Sequence, residues 1–233
     1  MCPSPRVKAA TGTPSSPPRS PAQYMVDTLE AEPAVAAQLF GDRIDVAREF
    51  TRNLAEQGEE LGLIGPLELP RLWSRHILNC VVVAPLLRPG LVGDVGSGAG
   101  LPGLVLAIAR PDVSFVLIEP MERRVAWLTG QIEALGLTNA TVLRARAEDI
   151  RLSTPLDQVT ARAVSAFKTL IPLTAPLLRT GGELVVMKGA GAAGEITNAA
   201  KAIARFRLRN VEVVTLGEGV LQDVTRVIRA TVE

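Results

Sequence analysis

The sequence predicts an α/β fold: a doubly wound, mostly parallel seven-stranded sheet with an antiparallel last strand, preceded by an N-terminal helical cap. Three observations carry this. From residue 91 onward, short apolar runs alternate with helix-period segments, the pattern of a parallel sheet covered on both faces. Residues 91–103 read LVGDVGSGAGLPG: an apolar run reaching Asp94, a glycine loop at Gly96, Gly98 and Gly100, then a new apolar segment opened by Pro102 and Gly103. That order is a strand, a tight turn and a helix start, with glycines that let a ligand lie against the main chain. The runs 210–216 and 225–232 follow one another across Gly217 and Gly219 with no helix between them, which implies an antiparallel pair at the sheet's end.

Three segments follow along the chain. Residues 1–23 are rich in Pro, Ser and Thr, hold six of the 17 prolines and contain no acid. Such a stretch buries too little surface to offset its ordering entropy, so a disordered tail is expected. Residues 24–90 read as a helical cap. Ile44, Ala47, Phe50 and Leu54 repeat at helical spacing, as do Leu69, Leu72, Trp73, Ile77, Cys80, Val81 and Ala84. Pro70 suits a first helical turn. Residues 27–68 carry ten acids against three arginines, so that face should avoid phosphate. Residues 91–233 form the core. Strands are expected at 91–95, 114–119, 140–145, 157–162, 183–188, 210–216 and 225–232. Helices are expected at 102–109, 121–135, 166–179 and 191–205, with Gly136 and Gly181-Gly182 as stops. Trp73 and Trp127 fall on apolar helical faces and read as core.

Composition bounds the function. Of 233 residues, 47% are hydrophobic but only 3% aromatic, so a large core must be built from Val, Leu, Ile and Ala. The formal net charge of +1 makes the whole chain no general polyanion binder, and a nucleic-acid site has to be a local patch. Two cysteines, Cys2 and Cys80, exclude a disulfide framework or a structural zinc site and fit a reducing cytoplasm. No apolar run is long enough to span a bilayer, and no secretory signal opens the chain. The expectation is a cytoplasmic monomer without a metal.

The glycine loop admits two cofactors. Gly98-Ala99-Gly100-Leu101-Pro102-Gly103 fits the dinucleotide fingerprint G-x-G-x-x-G. Gly96-Ser97-Gly98-Ala99-Gly100, with an acid two residues upstream, resembles motif I of class I S-adenosylmethionine (SAM) methyltransferases, which are Rossmann-like. Glu119 ends the second strand, 19 residues beyond Gly100, where a carboxylate can accept from both ribose hydroxyls of either cofactor. Asp94 favours SAM: an acid beside the loop suits a cationic amino-acid tail and repels pyrophosphate. Glu148 and Asp149, after the third strand, lie where an adenine amine can be bound. Arg162 ends an apolar strand at the cofactor edge, and Lys188 ends the fifth strand as a candidate phosphate or base contact. Arg75 and His76 are further substrate candidates. Lys201, Arg205, Arg207 and Arg209 form an acid-free run over 196–211 that can face RNA phosphate, giving one RNA surface together with the sheet's C-terminal edge.

The segments DVGSGAGLPG, RHILNCVVVAPLL, ARAVSAFKTL and VVMKG, in this order, resemble the RsmG (GidB) family over about residues 40–233. The resemblance implies a bacterial enzyme that uses SAM to methylate N7 of guanine 527 in 16S rRNA, on the 30S subunit or its assembly intermediate. It also implies SAM contacts at Gly96, Leu101, Ala147 with Glu148, and Arg162, the last placed where cofactor and guanine meet. The chain has RNLAEQGEELGLIGP where relatives commonly carry WN…NLT, and Asn79 where they carry Asp. Alternatives from the residues alone are a SAM enzyme for a small molecule or protein, and an NAD-dependent oxidoreductase.

Overall fold

The structure is a computed structural model and describes residues 29–233. The expected tail at 1–23 lies outside the described residues. Seven strands form one sheet: β1 (Leu91–Val95), β2 (Ser114–Ile118), β3 (Ala140–Leu143), β4 (Leu156–Arg162), β5 (Leu178–Lys188), β6 (Leu208–Leu216) and β7 (Thr225–Val232). The spatial order is β3-β2-β1-β4-β5-β7-β6. The pairs among β1–β5 are parallel, whereas β7 is antiparallel to both β5 and β6. The antiparallel pair is as expected from sequence. Its insertion, with β7 between β5 and β6, is a feature of strand order. The order reverses between β1 and β4, so the crevice beyond their C-terminal ends is the natural ligand site of an open α/β sheet.

Helices cover both faces. On one lie α1 (Val35–Phe40), α2 (Ile44–Gln57), a π-helical segment (Leu72–Leu78) running into α3 (Asn79–Val81), α4 (Gly103–Ala109) and α5 (Glu122–Ala134). On the other lie α6 (Phe167–Thr174), α7 (Ala192–Asn198) and α8 (Ala200–Arg205). The helix-period residues of the N-terminal segment do what their spacing asks. Ala47, Phe50 and Leu54 are buried, while Asp42, Asp45, Glu56, Glu59 and Glu60 face solvent. They share a core with Leu104, Leu106 and Ile108 of α4. Helix α5 stops at Gly136 (φ +60°), whose N–H bonds Glu133 O while Leu137 N–H bonds Ile132 O, a paired closure that needs a left-handed residue.

Several expected elements differ. Gly181-Gly182 does not end a helix but lies inside β5. Leu156 pairs with Leu178 and Gln158 with Glu183, so residues 179–182 bulge out of the ladder, and Gly181 supplies the positive φ of +75°. The helix expected over 166–179 closes at Thr174 and tightens into a 3₁₀ turn at Ala175–Leu177, since Pro172 and Pro176 remove backbone donors. The helix expected over 191–205 breaks at Ala199 into α7 and α8. The apolar run from Leu69 to Ala84 is not one α-helix: a 3₁₀ turn (Leu69–Arg71) leads into the π-helical segment.

Candidate active site

The glycine loop joins β1 to α4 at the crevice. Gly96 and Ser97 N–H both donate to Ile118 O, at 2.8 and 3.2 Å, tying the loop to the end of β2. Gly96, Gly98 and Gly100 all have positive φ (+74°, +55° and +92°). Their surroundings separate their roles. A Cβ on Gly96 would lie 2.8 Å from Val164, and one on Gly100 would lie 2.5 Å from Leu104. A Cβ on Gly98 would meet nothing nearer than 3.8 Å. Gly96 and Gly100 therefore allow close packing of protein on protein, and Gly98 keeps an open face of backbone above the loop. Leu101 follows, half-buried, at the turn into α4. Trp127 is core, and its Nε1–H holds Ala99 O at 3.1 Å.

The two acids beside the loop part company. Asp94 is 0% exposed. Its Oδ2 accepts from Gly103 N–H and its Oδ1 from the Thr160 hydroxyl, both at 3.1 Å. Burial pushes its pKa up to about 6, despite hydrogen bonds from Ser97, Thr160 and Gly103 that favour the charge. The expectation that Asp94 meets a cationic cofactor tail is corrected: the carboxylate faces inward, where it caps the first turn of α4 and ties β1 to β4. Glu119 is also buried, at 2% exposure, but it is bonded to the loop itself. Its Oε2 accepts from Gly98 N–H at 2.9 Å and its Oε1 from Met121 N–H at 3.0 Å. Each carboxylate oxygen has a further lone pair for a ribose hydroxyl. Ala147, half-buried, and Glu148, exposed, stand on a 3₁₀ turn (Ala147–Asp149) beyond β3, the next strand along the same edge. This edge thus carries Glu119, Glu148 and Asp149, with Arg124 Nη1 4.0 Å from Glu119.

On the far side of Gly96 the edge becomes cationic. An open cleft of about 1090 Å³ is lined by Arg75, Arg162, Lys188 and Arg226, among others. Val164, 2.8 Å from the position of a Gly96 Cβ, forms the step between loop and cleft. Ala163 beside it is a non-glycine residue at φ +55°, a conformation that persists only where the surroundings enforce it. Lys188 is 8% exposed by side chain; its Nζ donates to Ser165 O at 2.6 Å and pairs with Glu195 at 2.9 Å. Burial alone would raise the Glu195 carboxyl, but hydrogen bonds from Lys188 and from Phe167 N–H hold it below the usual carboxylate range.

Arg162 reaches across to the π-helical segment. Its Nη2 lies 2.7 Å from His76 Nδ1, and its Nη1 donates to Cys80 Sγ at 3.2 Å. His76 Nε2 lies 2.6 Å from Glu68 Oε2. The expectation that His76 touches substrate is corrected, because both ring nitrogens are committed to protein groups. Arg75 is exposed at the cleft and leans on Glu68 at 3.6 Å.

The cations expected to form a single RNA surface stand at two separate places. Arg205 ends α8, and Arg207 and Arg209 stand at the start of β6, where Leu208 pairs with Val232. Lys188 pairs with Arg226 at the start of β7. Nine residues of β6 separate the two edges, roughly 25 Å at strand rise. Arg209 is paired with Glu233 at 3.0 Å, and Arg205 stacks on Phe206. Residues missed in the sequence line the cleft. Arg226 lines the cleft, as do Asn79 and Thr225, whose side chains join at 3.1 Å. Only the insertion of β7 beside β5 brings them there. Among the described residues, no cluster of His, Cys, Asp or Glu could hold a metal, and no helix is long and apolar enough to cross a membrane.

Comparison with known proteins gives the family and the fold. A family model described as rRNA small subunit methyltransferase G matches residues 43–224. The ribosomal RNA small subunit methyltransferase G of Leifsonia xyli subsp. xyli is 74% identical over 208 residues, covering 89% of this chain and all of the relative. That of Thermobifida fusca is 46% identical, covering 84% of each chain. Among solved structures, M. jannaschii TYW2 in complex with AdoMet superposes with a TM-score of 0.53 at 18% identity, covering 68% of this chain and 76% of that one. The N-methyltransferase NodS from Bradyrhizobium japonicum, in complex with S-adenosyl-L-homocysteine, does so with a TM-score of 0.53 at 15% identity, covering 76% and 97%. These two likenesses concern the fold.

Proposed function

This chain belongs to the rRNA small subunit methyltransferase G family, and from that membership we propose that its cleft delivers a methyl group to N7 of a guanine in 16S rRNA, at position 527. It is a SAM-dependent methyltransferase of 16S rRNA. SAM, when bound, supplies an electrophilic methyl group. One observation on the site supports the finer reading: the glycine-loop edge with Glu119, Glu148 and Asp149 meets a cleft lined by Arg75, Arg162 and Arg226 at Gly96 and Val164.

In this reading Gly96, Gly98, Gly100 and Leu101 cradle the cofactor, Glu119 takes its ribose, and Ala147 with Glu148 flank its adenine. Guanine N7 is a free lone pair rather than an N–H, so no general base is needed and catalysis lies in alignment. Arg162 stands between the two halves and orients the reacting base. Arg75 and Arg226 present charge to RNA phosphate, and Lys188 braces the wall behind them through Glu195 and Ser165. We place the protein in the cytoplasm, as a monomer acting on the 30S subunit or its assembly intermediate, with residues 24–90 as cap and 91–233 as methyltransferase core.

The test is methylation of 16S rRNA and of 30S particles with labelled SAM, followed by mapping of the labelled base. Label at guanine N7 is expected. Label at another atom or nucleotide overturns the finer reading. In a thermal-shift comparison SAM should stabilise the protein and NAD should not.

A further inference from the structure

Residues of three elements converge under the cleft in an unbroken chain. Glu68 precedes the 3₁₀ turn at Leu69, His76 sits in the π-helical segment, and Arg162 ends β4. The distances are 2.6 Å from Glu68 Oε2 to His76 Nε2 and 2.7 Å from His76 Nδ1 to Arg162 Nη2. The chemistry of the groups sets the direction of each bond. A guanidinium can only donate, so His76 Nδ1 accepts and carries no proton. An ionised carboxylate can only accept, so His76 Nε2 carries the proton and donates to Glu68. One neutral tautomer satisfies both bonds, and the imidazolium satisfies only one.

We infer that Glu68 and His76 are positioning residues for Arg162, holding its guanidinium at the boundary of cofactor edge and cleft through the Nε2–H tautomer of His76. The inference rests on the role given to Arg162 in the proposed function. The π-helical turn is part of the device. It brings the carbonyls of Arg75 and His76 to 3.5 Å from the guanidinium and places Cys80 Sγ against Nη1. The widened turns of such segments recur at functional sites.

The arrangement makes methyl transfer sensitive to acid. Arg162 keeps its charge at all working pH values. Protonating His76 at Nδ1 would remove the acceptor and set two cations face to face. Charges facing His76 are Glu68, with Arg71 at 2.6 Å from that carboxylate, then Arg75 on its own segment and Arg162 from β4; Cys80 adds a buried thiol. Burial and the nearby Arg162 lower the His76 pKa from its ordinary value, against the pull of Glu68.

His76 is the single histidine of the sequence, so its ring can be watched without assignment. In untagged full-length protein labelled with ¹⁵N-histidine, NMR should find the Nε2–H tautomer and a pKa below 6.5. Arg162→Met should raise that pKa. An Nδ1–H tautomer, or a pKa indifferent to Arg162→Met, would overturn the inference, and this arm needs no substrate. In single-turnover transfer to 30S particles, the wild-type rate should fall as His76 protonates. His76→Phe should be at least about tenfold slower than wild type at neutral pH, where the wild-type imidazole is unprotonated, with the gap closing in acid as the wild type loses the same acceptor. His76→Asn puts an oxygen near the Nδ1 position, so it should recover much of that loss and remove the acid limb assigned to His76. If His76→Asn keeps the wild-type acid limb, or is as slow as His76→Phe, the positioning role fails. A wild type that transfers no methyl group would instead fail the proposed function, leaving the NMR arm to judge the hydrogen-bond chain.

Discussion

Asp94 shows how far a residue's type can mislead about its direction. An acid at the mouth of a glycine loop suggests a ligand contact, yet this one is sealed beneath the loop and bonded to Gly103 and Thr160. Its titration gives a clear expectation. The carboxyl ionises near 3.8 in the unfolded chain and about 6 in the folded protein. Between these values the folded state holds the extra proton, so this group's contribution to stability falls as pH rises from 4 to 6 and is flat above. Asp94→Asn has no proton to lose. The stability of Asp94→Asn relative to wild type should therefore improve from pH 4 to pH 7, as read by denaturant melts at each pH. The glycines offer a second contrast. Gly103→Ala would press a methyl into Leu117 and the Asp94 carboxylate, and should cost about 1–3 kcal/mol of stability. Gly98→Val meets open space within the protein but puts a β-branched residue at φ +55°, so it should lower Tm through backbone strain, and calorimetry should show lost SAM affinity.

At the scale of elements, the insertion of β7 between β5 and β6 decides which cations face the cleft. It places Arg226 opposite Lys188 and leaves Arg207 and Arg209 at the far edge. Arg75→Ala combined with Arg226→Ala should weaken binding of 30S particles and lower the slope of log affinity against log salt by up to about two. SAM affinity should not change. Arg205→Ala, Arg207→Ala and Arg209→Ala together should leave the single-turnover rate at the cleft unchanged. If the triple variant loses transfer and the double variant does not, the RNA path runs along the opposite edge.

At the scale of the whole molecule, the helical segment and the sheet are not independently packed. Phe50 of α2 is fully buried in one core with Leu104 and Ile108 of α4 and with Phe115 and Leu117 of β2. Phe50→Ala should therefore cost about 3–5 kcal/mol, and chemical denaturation should still show one transition. A separate early transition for the N-terminal helices would show that they fold as their own unit. A shared core also explains how the π-helical segment can hold Arg162: its buried Leu72, Trp73, Ile77 and Leu78 are anchored in the same cluster.

Much of this was legible from the sequence, because it depends on local chemistry. Short apolar runs and period-3.6 patterning marked the seven strands and most helices, and Gly96, Gly98 and Gly100 marked the loop because only a residue without Cβ takes those φ values without strain. Glu119 was legible because a strand of fixed rise carries it to the same edge as the loop. The inward turn of Asp94, the commitment of both nitrogens of His76, the bulge at Gly181-Gly182 and the arrival of Arg226 at the cleft were not legible. Each depends on a partner distant in the chain: Thr160 for Asp94, Glu68 and Arg162 for His76, β4 for the bulge, β5 for Arg226. Periodicity and turn chemistry record what a residue prefers over a few positions. Strand order and side-chain direction are settled only when the whole chain buries its apolar surface and pairs its polar groups at once.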